Sequence, residues 1–176
     1  MMLAHCLEAA RTYRDAAKAA LAERLTTHAI DTQQRAAHGF AWIATSVAAL
    51  EAVSDWLTAN AGGSPLDQQV AHLIFAKTLG QLVGGLPMGQ NELLRPSDLG
   101  VQDAARALEA ASSSVLLADH ASTRLAVAQA LAEGQSPSES FYDAELDSIR
   151  DQFRRFTQAE ILPHAHNWHL ANDLIP

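Results

Sequence analysis

The spacing of apolar residues between positions 31 and 57 is the strongest periodic pattern in the chain. Apolar residues recur there at alternating steps of four and three, which is the period of one face of an α-helix. This first stripe consists of Ala36, Phe40, Ile43, Val47, Leu50 and Leu57, with Ser54 filling the gap. A second stripe runs beside it and consists of Trp42, Ser46, Ala49, Val53 and Trp56. Two adjacent stripes make a wide apolar face, so we expect a central helix whose aromatic rings belong to the core.

Similar patterns predict helices in the rest of the chain. The first covers roughly residues 3–26, and another runs from Pro65 to about Val83 and is apolar around most of its circumference. Residues 101–133 form one long or broken helix, with the break at Ser112–Ser114, because serine competes for backbone hydrogen bonds. A last helix after Ser136 carries a stripe of Tyr142, Leu146, Ile149, Phe153 and Phe156.

No segment has the alternating pattern of a strand, and the loops between the predicted helices are short. The sequence therefore predicts an all-α fold, an antiparallel bundle of about five helices. Three helix starts resemble capping boxes, in which side chains satisfy the free backbone N–H groups of the first turn. They are Ser64–Asp67, Ser136–Glu139 and Asp31–Gln34.

Composition limits the class of protein. The chain has 176 residues, 48% of them apolar, so it is long enough for one domain with a core. Its net charge of −8 disfavours binding to a nucleic-acid backbone. The single cysteine, Cys6, excludes an internal disulfide and fits a reducing cytoplasm, where we expect it to be a structural thiol. No apolar run approaches the roughly 18–20 residues of a membrane span, and no signal-peptide pattern opens the chain, so we expect a soluble protein.

The polar residues that invite a chemical role do not form a recognisable site. His164, His166 and His169 could suggest a metal, but only the last two share a helix face, and two histidines rarely make a closed site. The segment Gly84–Gly89 lacks the lysine of a phosphate-binding loop and is expected to be a turn. The carboxylates stand apart along helices and give no acid–base pair: Glu51, Asp55, Glu109 and Asp119.

The charged side of the last helix is expected to be a solvated face. Asp151 and Arg155 stand one turn apart there and can pair. We assign no catalytic, cofactor-binding or metal-binding residue in this chain.

The segment from Phe153 to Pro176 resembles the first helix of the acyl-CoA dehydrogenases. That family commonly opens with a helix carrying spaced aromatics, followed by an acid, an aliphatic residue, a proline, a further aromatic and a short turn ending in proline. The residues that carry the resemblance are Phe153, Phe156, Glu160, Ile161, Leu162, Pro163, Trp168 and Leu174–Pro176. Together with the part of the same helix that leads into Phe153, the match covers roughly the last 35 residues. We therefore expect two regions: a helical extension (1–135) and the truncated start of a dehydrogenase N-terminal domain (136–176).

The extension itself resembles one branch of that family, the methylsuccinyl-CoA dehydrogenases, at Ala37–Thr45, Gly84–Gln90 and Arg95–Gly100. A further likeness joins Ala76–Lys77 and the glycine pair at 84–85 to the family's last helical bundle. The extension could on this ground be a degenerate copy of that bundle.

The resemblance implies that the complete enzyme carries FAD and oxidises an acyl-CoA to the α,β-unsaturated thioester. In that chemistry a carboxylate removes the α proton and a hydride passes from the β carbon to the flavin. The family's catalytic glutamate and most of its flavin contacts lie far beyond its first helix, so no residue here matches them. We therefore expect a cytoplasmic, inactive N-terminal fragment with a structural or oligomerisation role. Its partners would be the catalytic core of the same polypeptide and further copies of the enzyme, with no nucleic acid, membrane or metal.

Two other hypotheses remain open at this point. One is a free-standing helical interaction module, in which residues 141–176 pack onto residues 31–130. The fragment hypothesis instead predicts that a surface of Phe153, Phe156, Trp168 and Ile175 lacks its partner. The other alternative is a small metal- or ligand-binding regulator that uses the histidine cluster.

Overall fold

Helices make up nearly all of the regular structure in the computed structural model, which describes residues 2–139 and 143–174. The chain divides into two units between Ser138 and Glu139. The helices of the first unit are α1 (Met2–Thr27), α2 (Gln34–Ala59), α3 (Pro65–Gly84), α4 (Pro96–Leu99), α5 (Gln102–Ala111), α6 (Ser113–Leu116) and α7 (His120–Ala132). The second unit contains α8 (Ala144–Phe156), a π-helical turn (Thr157–Ile161) and α9 (Leu162–Ala171). The predicted all-α class is confirmed.

The core of the first unit is built around α3. This helix packs against α2, α5, α6 and α7. Phe75, Leu79 and Leu82 are at most 2% exposed, in agreement with the apolar circumference of the segment. On α1, Cys6 is buried, and its thiol lies 4.0 Å from the carbonyl oxygen of Ala111, so it is a structural thiol.

Only one of the two apolar stripes of α2 is buried. Ile43, Val47 and Leu50 of the first stripe are at most 1% exposed, because α1 and α3 cover this face. Ala49 of the second stripe is exposed, and Trp42 is 39% exposed. The expectation that Trp42 belongs to the core is therefore wrong. Within the described chain, α2 is the one helix whose length and apolar composition would suffice to cross a membrane, which a core helix of a soluble protein also satisfies.

The three predicted capping boxes have different outcomes. At the start of α3, Ser64 Oγ accepts from the backbone N–H of Asp67, and the Asp67 carboxylate accepts from that of Ser64. The box at Asp31–Gln34 does not form, because residues 30–32 make a 3₁₀ turn and Gln33 precedes α2 without a side-chain cap. The box at Ser136–Glu139 does not form either. Residues 135–139 are not helical, and α8 begins at Ala144, where Asp143 caps the backbone N–H of Leu146.

A two-residue antiparallel ladder follows α3, although the sequence pattern predicted no strand. Strand β1 (Leu86–Pro87) pairs with β2 (Leu93–Leu94), which places Leu86 opposite Leu94. Leu86 and Leu94 are both 3% exposed, so the ladder folds its loop onto the core. Two residues per strand are too few to show an alternating pattern, and this explains the wrong prediction. After β2, the next helix, α4, begins at Pro96.

The predicted break at the serine run is confirmed. Helix α5 ends at Ala111, and Ser112 starts the short α6 with its own backbone N–H shared between the carbonyls of Leu108 and Glu109. Ser112 is fully buried. A shared N–H of this kind is common at helix ends and lets the chain turn without losing a buried hydrogen bond.

Candidate functional site

The second unit presents an exposed apolar face along α8. Leu146, Ile149, Phe153 and Phe156 follow one another at helical spacing, and they are 48%, 44%, 69% and 57% exposed. Tyr142, which the sequence pattern placed on the same stripe, lies outside the described residues. Burying a phenylalanine side chain is favourable by about 1.5–3 kcal/mol. An amphipathic helix with this face uncovered is therefore suited to dock onto an apolar partner.

No residue between positions 143 and 174 of the described chain is buried. Trp168 is partly exposed on α9, and Ile175 lies outside the described residues. The exposure of Phe153 and Phe156 is the outcome that the fragment hypothesis predicts for this surface.

The opposite side of α8 carries a network of ion pairs, of which some are exposed and others partly buried. Arg154 contacts Glu139 at 2.7 Å, and Arg150 contacts Asp147 at 3.1 Å. The predicted pair of Asp151 with Arg155 is not among the ion pairs formed by the described residues. Instead the Asp151 carboxylate lies 3.3 Å from Arg150 and 4.0 Å from Arg154, the neighbour at helical spacing three. Exposed pairs of this kind contribute little stability, so the charged side is a solvated face.

The π-helical turn between α8 and α9 changes which side chains share a face. Pro163, in the first turn of α9, has no backbone N–H to donate, and a single wide turn is a common response to a missing bond in a helix. Beyond the turn, His164 lies against Trp168 with ring centres 5.5 Å apart. These two rings line an open cavity of about 630 Å³ together with Phe156, Glu160 and Ile161.

The structure does not bring the histidines or carboxylates into a catalytic cluster. Among the residues that it describes, no three His, Cys, Asp or Glu side chains are placed to hold one metal ion. Glu51 instead pairs with Arg11 at 2.7 Å and with Arg14 at 3.5 Å, which joins α2 to α1. Asp119 caps α7, and the hydroxyl and backbone N–H of Ser122 lower the pKa of its carboxyl. Glu51 therefore joins two helices, and Asp119 stabilises the start of a third.

The segment Gly84–Gly89, predicted as a turn, contains strand β1, and Gly85 makes the connection between α3 and that strand. Gly85 has φ = 144°, a conformation that favours glycine. A side chain on Gly85 would also collide with Leu93, since an added Cβ would lie 2.9 Å from its Cδ2 atom. Gly85 thus leads the chain from α3 into β1, and the side chain of Leu93 occupies the space beside it.

The most connected polar residue of the first unit is Asp67, which the sequence identified only as part of a helix cap. Its side chain is fully buried, and its two oxygens accept hydrogen bonds from Ser64 and Ser138 at 2.7–2.8 Å. Burial raises the pKa of the Asp67 carboxyl, but the hydrogen bonds from Ser138 and Ser64 together lower it, and the net pKa lies below the usual value. The carboxylate is therefore a charged structural anchor.

No protein-family model matches the chain. The chain is 34% identical over 92% of its length to a (2S)-methylsuccinyl-CoA dehydrogenase from Cereibacter sphaeroides. It spans 32% of the length of that protein, about a third. The similarity extends over both units and agrees with the resemblance to methylsuccinyl-CoA dehydrogenases that the sequence motifs predicted.

Proposed function

We propose that this chain, similar along almost its whole length to one third of a methylsuccinyl-CoA dehydrogenase, is the non-catalytic N-terminal part of an FAD-dependent acyl-CoA dehydrogenase. The whole enzyme oxidises an acyl-CoA to its α,β-unsaturated thioester. The observation that carries the proposal is the 34% identity over 92% of the chain. Methylsuccinyl-CoA is the first candidate substrate, because it is the compound in the relative's name.

The division of the chain supports different roles for its two regions. Residues 1–135 are the helical extension, and residues 136–176 begin the dehydrogenase N-terminal domain. The exposed face of Leu146, Ile149, Phe153 and Phe156 supports this assignment, because a first domain helix needs further helices to cover it. We place the enzyme in the cytoplasm, where the single buried thiol of Cys6 stays reduced, and we propose that it acts as a homo-oligomer.

The described residues do not fit a complete FAD site. FAD needs an apolar slot for its ring system and cationic or backbone N–H groups for its diphosphate. The cavity of about 630 Å³ beside Trp168 has a carboxylate, Glu160, in its wall. The cavity beside Arg24 and Arg35 holds only about 280 Å³. We therefore assign no flavin contact and no catalytic step to this chain, and FAD binding belongs to the rest of the proposed enzyme.

The proposed role is architectural. The bundle is covalently joined to the rest of the enzyme, so its effective concentration at the enzyme surface is high. It can therefore cover part of that surface even if the contact between them is weak. The acidic net charge and the solvated side of α8 keep the uncovered parts soluble.

The test joins this chain to the part of the C. sphaeroides enzyme outside the matched third. FAD absorbance and oxidation of methylsuccinyl-CoA with an artificial electron acceptor are then measured for three proteins: the chimera, this chain alone, and the remainder alone. We expect flavin and activity in the chimera and neither in this chain. Stoichiometric flavin in this chain alone would contradict the non-catalytic assignment. Equal stability and activity of the chimera and the remainder alone would contradict the architectural role.

A further inference from the structure

Two histidines meet where α7 begins. His72 on α3 and His120, the first residue of α7, have ring centres 5.9 Å apart. His120 Nε2 also lies 2.8 Å from the carbonyl oxygen of Val115, a fully buried residue. Because a carbonyl oxygen only accepts hydrogen bonds, this nitrogen carries a hydrogen and donates it. A further proton on His120 must therefore bind to Nδ1, and it makes the ring cationic.

Helix α7 is held only weakly by apolar packing. None of its residues is buried, although the structure describes the whole helix. Leu125 and Leu131 are 59% and 49% exposed. The main neighbour of α7 among the described elements is α3, so the contact between His72 and His120 belongs to the interface that keeps α7 in place. A helix with so little buried surface opens locally at a small cost in free energy.

The surroundings of His72 disfavour a positive charge. Burial lowers the pKa of His72, and the charge of His120 lowers it further. The charged residues of α3, Asp67 and Lys77, each stand five positions from His72 and so point to other sides of the helix. His72 lines an open cavity of about 430 Å³ whose other walls are uncharged: Met2–Ala4, Ser54, Leu57, Thr58, Gly62 and Gln68.

Charges of both signs lie beside His120. The Asp119 carboxylate precedes it and favours the imidazolium, but it already accepts the backbone N–H and the hydroxyl of Ser122. Arg124 follows one turn later on α7 and opposes a second cation. The start of α7 carries a partial positive charge, which opposes it as well. The short helix α6 contributes no charged side chain. Asp119 can therefore offset one charge of the pair, and no acid lies next to the other.

We propose that the His72–His120 pair is a proton-sensitive contact that holds α7 on α3 at neutral pH and releases it in mild acid. With both imidazoles neutral, the two rings lie side by side. With both protonated, two like charges repel each other across 5.9 Å, and the weakly packed α7 opens.

The direction of the effect follows from the lowered pKa of His72. The unfolded chain binds this proton more readily than the folded one, so the contribution of the pair is complete above the unfolded value of 6.5. It is lost as the pH falls through that value towards the lower pKa of the folded state. Mild acid therefore loosens the last helix of the first unit while α1, α2 and α3 stay packed. The pair lies wholly within this unit, so it acts whether or not the chain is part of a dehydrogenase.

Hydrogen exchange of this chain, followed by mass spectrometry, tests the proposal. Protection factors, which are corrected for the pH dependence of intrinsic exchange, are compared at about pH 7.5 and about pH 5.5, on either side of the histidine range. We expect protection in α7 to fall by about threefold to tenfold, which is the repulsion between two charges at this distance in largely aqueous surroundings. Protection in α2 should stay constant.

Glutamine variants connect the effect to the pair. His72→Gln keeps a polar side chain that does not titrate, so protection in α7 should change by less than about twofold over the same pH range. The matched control is His28→Gln, at an exposed histidine just after α1, and it should respond as the unaltered chain does. In an NMR titration of the imidazole C2 protons, His120→Gln should raise the midpoint of His72, because it removes the like charge.

Each other outcome overturns the proposal. Unchanged protection of α7 in the unaltered chain does so, and so does an equal fall in the unaltered chain and in His72→Gln. An equal loss in α2 and α7 shows that the whole unit opens rather than one helix. If the glutamine variants do not fold, the NMR titration of the unaltered chain decides, since a His72 midpoint at or above about 6.5 contradicts the proposed contact.

Discussion

Ser138 donates both its backbone N–H and its hydroxyl to the carboxylate of Asp67, which precedes it by 71 residues. The two distances are 2.8 and 2.7 Å, and each bond reaches a different carboxylate oxygen. The carbonyl oxygen of Ser138 in turn accepts the indole N–H of Trp56 at 3.0 Å. The segment that follows α7 is therefore held to the start of α3 by the buried Asp67 carboxylate and to the end of α2 by the Trp56 indole.

Replacing Asp67 should weaken the first unit more than any single exposed carboxylate can. Asp67→Ala leaves the N–H groups of Ser64 and Ser138 and one hydroxyl without their acceptor. We expect a loss on the order of 3 kcal/mol in the free energy of unfolding, because unsatisfied buried donors are costly. Urea denaturation followed by circular dichroism measures it. The matched control is Asp103→Ala on α5, whose side chain is 92% exposed, and an equal loss in both variants would refute the anchor.

The same carboxylate predicts a loss of stability in acid. Its pKa is lowered in the folded state, so its contribution is complete above the unfolded value of about 3.9 and disappears as the pH falls through the folded value. The free energy of unfolding should therefore decline below about pH 4. In Asp67→Asn the decline should be shallower, since one titrating group is gone. Denaturation midpoints at about pH 6 and about pH 3 test this, and parallel slopes in both proteins would contradict it.

The Asp67 anchor also shows where local sequence patterns fail. Ser136–Glu139 has the composition of a helix start, yet the backbone N–H and hydroxyl of Ser138 donate to the Asp67 carboxylate of another helix. A side chain that can cap a helix can equally bind a distant carboxylate, and the choice depends on the tertiary fold. Ser64–Asp67 forms as predicted, because all its partners lie within one turn. Sequence periodicity thus predicts the helices and their inner faces, whereas long-range polar contacts follow only from the fold.

The exposure of Trp42 has a similar cause. Periodicity identifies a stripe as apolar, but it does not specify whether another helix of the same chain covers that stripe. The first stripe of α2 is buried by α1 and α3, while the second is not. For the α8 face the resemblance to a dehydrogenase supplied the expectation of a missing partner, which hydropathy alone could not provide.

Gly39 allows α2 to approach the β1–β2 ladder closely. An added Cβ there would lie 2.5 Å from Leu94 Cδ1, and Leu94 is buried at 3% exposure. We expect Gly39→Ala to destabilise the unit by about 1–3 kcal/mol despite the better helix propensity of alanine. Gly80→Ala on α3 is the matched control, because its new methyl would meet only Leu116, at 3.9 Å. It should stabilise the protein by up to about 1 kcal/mol. Thermal melting separates the two, and a stabilised Gly39→Ala would disprove the close packing.

Two phenylalanines distinguish core from docking surface. Phe75 on α3 is fully buried, and Phe153 on α8 is 69% exposed. Phe75→Ala should lower the free energy of unfolding of this chain by about 3–5 kcal/mol, because it removes packed atoms and leaves a cavity. Phe153→Ala should change it by less than about 0.5 kcal/mol, since surface substitutions away from special contacts have small effects.

In the chimera with the rest of the C. sphaeroides enzyme the result for Phe153 should differ. There its ring would be covered, so Phe153→Ala should destabilise the protein by about 2 kcal/mol, the value of one buried aromatic side chain. Urea denaturation of both backgrounds makes the comparison. Because position 153 is tested in two contexts, its effect on helix propensity is the same in each and cancels. A Phe153→Ala effect of equal size in the isolated chain and in the chimera would show that α8 does not dock through this ring.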